Sequence, residues 1–522
     1  MVVKDMEKIM DINKEAIIGV VGVCGINGNL IARILVDHGY KVIVNDVVTK
    51  EECRFKQAIS DYNFEEEYYG TLPESFFEKI DYIVLPLALI ENNSKIYQKS
   101  TEHNIALLKV EDILNIFEPA HPVICVTGTN GKTTTTNMIK TFAYYNNQQP
   151  CEHNLEGMQG NAGDIPALQS RLKGDLNVLE TGTFGITGSL TKLAAPCKPD
   201  VGLITNITPD HLDENSNFLD YANVKGELIT LLQNKTLIVN NDDPTIMALI
   251  KEKDYQGRLI TFGLDYESSR KDEKQCLCGK TIEIDEIIAG VGKYNCSCGL
   301  TYEKPDYIAT GINDKHNQFI LITPSGEQHQ FNLKINGIHN IYNAVGSIIV
   351  AHEILNMTLE EINNALSSFT GVDGRMETLG VYSNKEVMID YAHNPAGITT
   401  ILKELKNTYH TVINVVSISS ESGITADLEI MERSLEYADF VVPASHNSYI
   451  IAKKLLSEEK YSDKIVLPDN MPEGNKEGTL GATSEQLLAG VNKAKTIDAD
   501  LILCTGEASL KFKNILKNEL RL

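Results

Sequence analysis

Apolar residues along this chain gather in short, nearly unbroken runs. Each run is followed by a glycine-rich or polar turn and then by a segment where apolar and polar positions mix at helical spacing. Unbroken Val, Ile and Leu suit strands buried on both faces, whereas a sheet with one wet face would alternate. The first runs are Ile17–Val23 and Tyr40–Val44, separated by a helix expected over Asn29–His38, with further strands at Tyr82–Leu87 and Ile105–Leu108. A second series starts at Val123–Val126 and continues at Leu176–Leu179, Val201–Ile204 and Thr236–Val239. A third follows Gly374, with strands at Val387–Ile389, Val412–Val416, Phe440–Val442 and Leu501–Cys504. Three such series predict an α/β protein of three domains. They are an N-terminal Rossmann-like domain (1–115), a central domain with a parallel sheet (116–370) and a C-terminal Rossmann-like domain (371–522).

A chain of 522 residues is too long for one core, which agrees with that division. Its net charge of −24 argues against nonspecific nucleic-acid binding and against attraction to an anionic membrane. Any phosphate it binds must be held locally, by lysines, arginines, backbone amides or metal ions. The opening segment MVVKDMEKIMDINKEA is charged where a signal peptide would be apolar, and no apolar run is long enough to span a bilayer. The expected location is the cytoplasm.

The segment VICVTGTNGKTTTTNMI (123–139) changes the picture most. A predicted strand enters the turn Gly128-Thr129-Asn130-Gly131, and Lys132 with four threonines, Thr133 to Thr136, opens a helix. Turn amides and the positive end of a helix face an anion in such an arrangement. Lys132 would reach the outer phosphates of a nucleotide, Thr134 would line the cradle, and the Thr133 hydroxyl suits magnesium. The spacing is two residues shorter than the common G-x-x-x-x-G-K-[ST].

Other signals are weaker singly. Gly22, Gly25 and Gly28, with Asn27 among them and Asp46 at the end of the next strand, imitate a dinucleotide fingerprint at an unusual spacing. They fit either a nucleotide or nucleotide-sugar site, or a turn that only packs helix on strand. Glu180 closes the strand NVLE, at the edge where an α/β sheet meets its ligand. NITPDHLDE offers Asn206, Asp210, His211 and Asp213 to a second divalent ion, while Lys225 in DYANVKGEL reads on its own as a solvated lysine. NGIHNIYNAVGS presents His339, Asn340 and Asn343, GRME presents Arg375, and DYAHNP presents Asp390. An arginine could clamp phosphates and an aspartate accept a hydrogen bond.

Of ten cysteines, Cys24, Cys53, Cys125, Cys151, Cys197 and Cys504 are scattered and read mostly as buried free thiols. The other four, Cys276 and Cys278 in CLCGK and Cys296 and Cys298 in YNCSCGL, form two close pairs suited to a tetrahedral structural zinc. They lie in an insertion over about 266–305, away from the phosphate motifs.

GTNGKTTT, Glu180, NITPDHLD, YANVKGEL, GIHNIYNA, GRME and DYAHNP occur in the order and approximate spacing of the Mur ligase family, which this sequence resembles. The resemblance implies an ATP-dependent, ADP-forming acid–amino-acid ligase. It assigns Lys132 to the β/γ-phosphates, Thr133 and Glu180 to a first magnesium, and His211 with a carbamylated Lys225 to a second. Asn340, Arg375 and Asp390 would contact ATP. The cysteine-rich insert is similar to that of the MurT type, whereas residues 15–115 resemble the UDP-binding domain of muramoyl-peptide ligases, with Gly22, Gly25, Asn27, Gly28 and Asp46 at its turn. Both features together are similar to the Mur-like peptide ligases that build pseudomurein in methanogenic archaea. The implied partners are a UDP-linked peptide or amino-acid precursor and a free amino acid. The rivals are a MurT-like subunit taking ammonia from a glutaminase partner, a synthetase acting on a tetrapyrrole cofactor precursor, and a nucleotide-gated binding protein without turnover.

Overall fold

The computed structural model describes residues 12–156, 158, 160–161, 163–182, 185–209, 217–266, 270–288, 290–313, 316–419, 424–473 and 482–522. His211, with Asp210 and Asp213, lies outside them. The chain forms two compact units. One comprises Met1–Val126, Ala143–Gly182 and Leu190–Gly202; the other comprises Thr127–Phe142, Thr183–Ser189 and Leu203–Leu522.

In the first unit five parallel strands run in the order Glu66–Tyr69, Lys41–Asp46, Ile17–Val21, Tyr82–Val84, Ala106–Leu108. The chain leaves Ile17–Val21 first to one side and later to the other, so the GVCGING turn sits at a topological switch point, where open α/β sheets bind ligands. The following helix spans Ile26–Asp37 and buries Leu30, Ile31, Ile34 and Leu35 against the sheet. It begins three residues earlier than the apolar pattern alone suggests, because extended Gly25 provides its N-cap and places Asn27 and Gly28 in the first turn. Strand Val123–Thr127 runs parallel to Asn177–Glu180, with Val126 opposite Glu180.

Two of the scattered cysteines depart from the free-thiol expectation. Cys24 and Cys53 form a disulfide with Cα atoms 5.0 Å apart, whereas Cys125, Cys151, Cys197 and Cys504 are buried free thiols. The paired residues follow adjacent strands, so a separation of 29 residues along the chain vanishes in space.

The second unit contains strands in the order Gln328–Asn332, Gln318–Ile322, Tyr307–Asn313, Arg258–Leu264, Thr236–Asn240. Pairing is parallel from Thr236–Asn240 through Tyr307–Asn313 and antiparallel at the outer hairpin. Between Leu264 and Tyr307 the chain forms a separate antiparallel sheet of Arg270–Gln275, Thr281–Ile288 and Val291–Cys296. The last sheet runs Glu377–Tyr382, Lys385–Asp390, Leu501–Thr505, Val412–Val416, Phe440–Pro443, antiparallel only in its first pair. Leu501–Thr505, its central strand, is wholly buried, as its unbroken apolar run requires.

Candidate active site

The buried strand Val123–Thr127 delivers the chain to the turn 128–131, and the helix Lys132–Tyr145 leaves it. Both glycines are forced by close approach. Gly128 has φ +144° and a Cβ there would lie 2.0 Å from Thr205 Oγ1; Gly131 has φ +83° and its Cβ would lie 2.2 Å from Asn343 Oδ1. The turn is gripped by residues 205–208. Thr129 N–H donates to Asn206 O (2.8 Å), Asn130 N–H to Asn206 Oδ1 (3.0 Å), and Asn206 Nδ2 back to Asn130 O (3.0 Å). Thr205 Oγ1 donates to Asn130 O at 2.6 Å, and Thr208 N–H donates to Thr129 Oγ1 at 3.0 Å. Lys132 folds over the turn and donates to Gly128 O (2.9 Å) and Thr129 O (2.7 Å). Thr134, Thr135 and Thr136 are buried in the helix.

Three later motifs meet this loop. Asn340 and Asn343 lie on the helix Ile338–Glu353, both buried, and Asn343 Nδ2 donates to Asn340 Oδ1 at 3.1 Å. Thr135 Oγ1 donates to Asn343 Oδ1 at 3.4 Å. From the GRME segment, Arg375 donates to Thr133 Oγ1 at 3.3 Å, with its guanidinium 4.5 Å from the centre of the Tyr391 ring. Asp390 ends its strand fully buried and accepts the Met376 and Ala392 amides at 2.7 and 2.6 Å. Burial raises its pKa above the ordinary value, opposed by Arg375 and these amides. Asn394 caps the helix Pro395–Thr408 and extends its amide to Asn130 Oδ1 at 3.1 Å. The structure thus brings Lys132, Thr133, Asn130, Arg375 and the DYAHNP motif together.

Lys225 corrects the reading of a solvated side chain. It ends the helix Phe218–Lys225, is 1% exposed, and holds its nitrogen 5.3 Å from the Tyr221 ring centre. Tyr221 in turn lies with its hydroxyl 3.2 Å from Thr129 Oγ1. In the other unit, Glu180 accepts from Asn161 Nδ2 at 3.2 Å. At the glycine turn there, Asp46 spends both oxygens on backbone, accepting Cys24 N–H (2.8 Å) and Val48 N–H (3.2 Å). A Cβ on Gly28 would lie 2.2 Å from Gly22 O, so this glycine lets the helix pack on the turn. Asn27 Nδ2 donates to Asp164 Oδ2 at 2.8 Å.

The cysteine sheet carries two knuckles of one design. Cys276 N–H donates to Lys280 O and Gly279 N–H to Cys276 O; Cys296 N–H donates to Leu300 O and Gly299 N–H to Cys296 O. The sulfurs of Cys276 and Cys298 are 3.9 Å apart, those of Cys278 and Cys296 3.8 Å, and all four lie within 4.8 Å of one another. Four thiolates at about 2.3 Å from a central zinc would sit about 3.8 Å apart, so the set fits a tetrahedral ion. The Leu300 amide beside Cys298 holds that thiol down at about 7, which favours a thiolate ligand.

Pattern reading missed Asp243 and Lys274. Asp243 accepts Ile207 N–H (2.6 Å) and Thr245 N–H (2.9 Å) and pairs with the buried Lys274 (3.1 Å). The only local signal is that Asp243 precedes Pro244 as a helix N-cap.

Parallel α/β sheets, a phosphate loop and converging arginine and asparagine side chains define a protein that handles nucleotide phosphates. Residues 126–351 match the Mur ligase middle domain, and residues 374–508 match the Mur ligase glutamate ligase domain. The fold is similar to a pseudomurein peptide ligase type C from Methanothermus fervidus, at TM-score 0.83 and 32% identity, covering 97% of this chain and 100% of that one. The UDP-N-acetylmuramate–L-alanine ligase of Aquifex aeolicus is 28% identical over 397 residues, 74% of each chain. The MurT subunit of lipid II isoglutaminyl synthase from Staphylococcus aureus is 29% identical over 323 residues, 60% of this chain and 70% of that one. The chain belongs to the Mur ligase family, whose members are ATP-dependent, ADP-forming ligases.

Proposed function

We propose that this enzyme joins an amino acid to a carboxylate of a UDP-linked, pseudomurein-type cell-wall precursor. The observation that carries the reading is similarity to a pseudomurein peptide ligase along 97% of the chain. A carboxylate resists attack by an amine because its oxygen is a poor leaving group. Transfer of the ATP γ-phosphoryl group to that oxygen gives an acyl phosphate and ADP. The amine then adds to the carbonyl carbon, the tetrahedral intermediate expels phosphate, and the amine's proton leaves with solvent. Lys132 leaves the carbonyls of Gly128 and Thr129 to neutralise charge on the transferring phosphoryl, and Arg375 swings from Thr133 toward the same oxygens. Asn340 and Asp390 orient the nucleotide. Gly128 to Gly131 and Thr134 cradle its phosphates.

The donor set suits magnesium, a hard ion that takes hydroxyl and carboxylate oxygens. Thr133 would contribute to holding one ion and a carbamylated Lys225 the second, and the family resemblance adds Glu180 and His211 as further ligands. A lysine ammonium cannot ligate a cation, but a buried lysine carrying a carbamate can. When bound, the two ions supply charge stabilisation to the phosphoryl group. Gly22, Gly25, Asn27 and Gly28 receive the UDP moiety, with Asp46 bracing the turn. Cys276, Cys278, Cys296 and Cys298 would hold zinc as a structural ion. The reaction runs in the cytoplasm, where ATP and UDP-linked precursors meet.

Mass-resolved product analysis tests this directly, with ATP, magnesium, UDP-linked glutamyl and peptide acceptors, and a panel of amino acids plus ammonia. A UDP product heavier by one residue establishes the peptide ligase and names its amine. MurT similarity and the cysteine insert favour one second reading, amidation with ammonia from a glutaminase partner. Product formed with ammonia alone would install that reading instead. Lys132→Ala should abolish turnover while leaving the fold intact; near-normal rates would sink the phosphate-loop assignment.

A further inference from the structure

We infer that Lys274, contributed by the cysteine sheet, is a positioning residue of the nucleotide site. It rests on the reading that the turn 128–131 binds phosphates. Lys274 lies in the strand Arg270–Gln275, buried between exposed Glu273 and Gln275, and buried Cys276 follows directly after the strand. A buried ammonium must find partners, and Lys274, with 7% of its side chain exposed, finds three. It donates to Ile207 O at 2.7 Å and to Asp243 Oδ1 at 3.1 Å, and lies 5.4 Å from the centre of the Phe218 ring. Asp243 Oδ2 simultaneously accepts the Ile207 amide at 2.6 Å. Both polar groups of Ile207 are therefore held, one by each member of a buried ion pair.

The neighbours of Ile207 do the opposite job. Asn206 and Thr208 hold Thr129 and Asn130, residues of the phosphate turn itself. Segment 205–208 is a short bridge, with the turn on one side and Lys274–Asp243 on the other. Removing the ammonium leaves Ile207 O unsatisfied and Asp243 without its counter-charge, and the bridge is the movable part. Any shift is passed to the Thr129 and Asn130 backbone, which must be in place before a phosphate arrives. Lys274 touches no substrate in this scheme and acts only through that bridge.

The experiment is titration of the full-length protein with ADP and magnesium, alongside thermal unfolding of the unliganded protein. Lys274→Met should weaken ADP binding about tenfold in protein that still folds, the size of coupling typical between connected sites. Lys274→Arg, which keeps the charge, should recover most of that loss. A purely structural role predicts a lower unfolding temperature with unchanged ADP affinity, and that result overturns the inference. The double variant Lys274→Met with Asp243→Asn removes both buried charges and should also bind ADP weakly, because Ile207 O is still unheld. Normal affinity in the double variant counts against the proposal, as does failure of both variants to fold, since Lys274 would then be a stability residue. Lys132→Ala separates the two levels. If it binds ADP normally, the phosphate-turn reading fails; if it loses ADP while Lys274→Met keeps it, only the present inference fails.

Discussion

Asp242 is buried between the end of strand Thr236–Asn240 and the helix Ile338–Glu353, and its protonation is set by competition. Burial pushes its carboxyl up to about 6 from an ordinary 3.8, although Leu264 N–H (2.8 Å) and Tyr342 OH (2.7 Å) both donate to Oδ2 and favour the anion. A raised carboxyl pKa means the folded state binds the proton more tightly, so stability falls as pH rises from about 4 to about 6 and then levels off. Asp242→Asn removes that dependence while retaining an acceptor oxygen. The stability of the variant relative to the parent should rise by roughly 2 kcal/mol between pH 4.5 and 7.5, measured by urea unfolding at both values. A difference independent of pH would show that Asp242 does not titrate in this range.

At the scale of elements, the cysteine knuckles make the sharpest claim. The four sulfurs converge although the two knuckles follow different strands, and the insert's own apolar cluster is small: Ile282, Ile284, Tyr294 and Leu300 besides two cysteines. A layer this thin depends on a cross-link. Cys296→Ser should lower zinc content from about one per chain and depress the unfolding temperature; zinc-free protein of unchanged stability would refute the metal. Elements are also where the sequence reads best. Strands ending near Thr127, Glu180, Ile204 and Asp390 carry short apolar stretches, and the glycines and lysine of the phosphate turn follow one of them directly. The missed contacts are of another kind. Lys274 reaches Ile207 across 67 residues, and nothing in the neighbourhood of either reveals the other. Lys225 looks solvated because its acidic neighbours face outward while its own position on the helix faces inward. Cys24 and Cys53 pair only because two parallel strands lie side by side.

At the scale of the whole molecule, the segments matched by the two family domains share an ion pair. His339, in the first turn of Ile338–Glu353, lies 3.1 Å from Glu404 on Pro395–Thr408. Burial disfavours the imidazolium, but the carboxylates of Glu404 and then Asp390 outweigh it, so the His339 pKa is raised. Stability from this pair is complete below the unfolded histidine value of about 6.5 and is lost as pH climbs through the raised folded value. Glu404→Gln should therefore cost most near pH 6 and progressively less toward pH 9, read as the gap in unfolding temperature; a constant gap would rule out the imidazolium. The cysteine sheet joins the same helix, with Lys403 Nζ 3.6 Å from Glu286.

Strands Arg258–Leu264 and Tyr307–Asn313 are parallel neighbours, Leu264 lying opposite Ala309. No turn can join such a pair, because the chain must first travel back along the length of the strand. Residues 265–306 make that return journey, through antiparallel strands rather than the usual helix. The cysteine sheet is thus a span of the road and not a lay-by beside it. Pruned to a tight loop, it would strand Tyr307–Asn313 at the wrong end of the sheet. It can only be exchanged for another crossing of about a dozen residues or more.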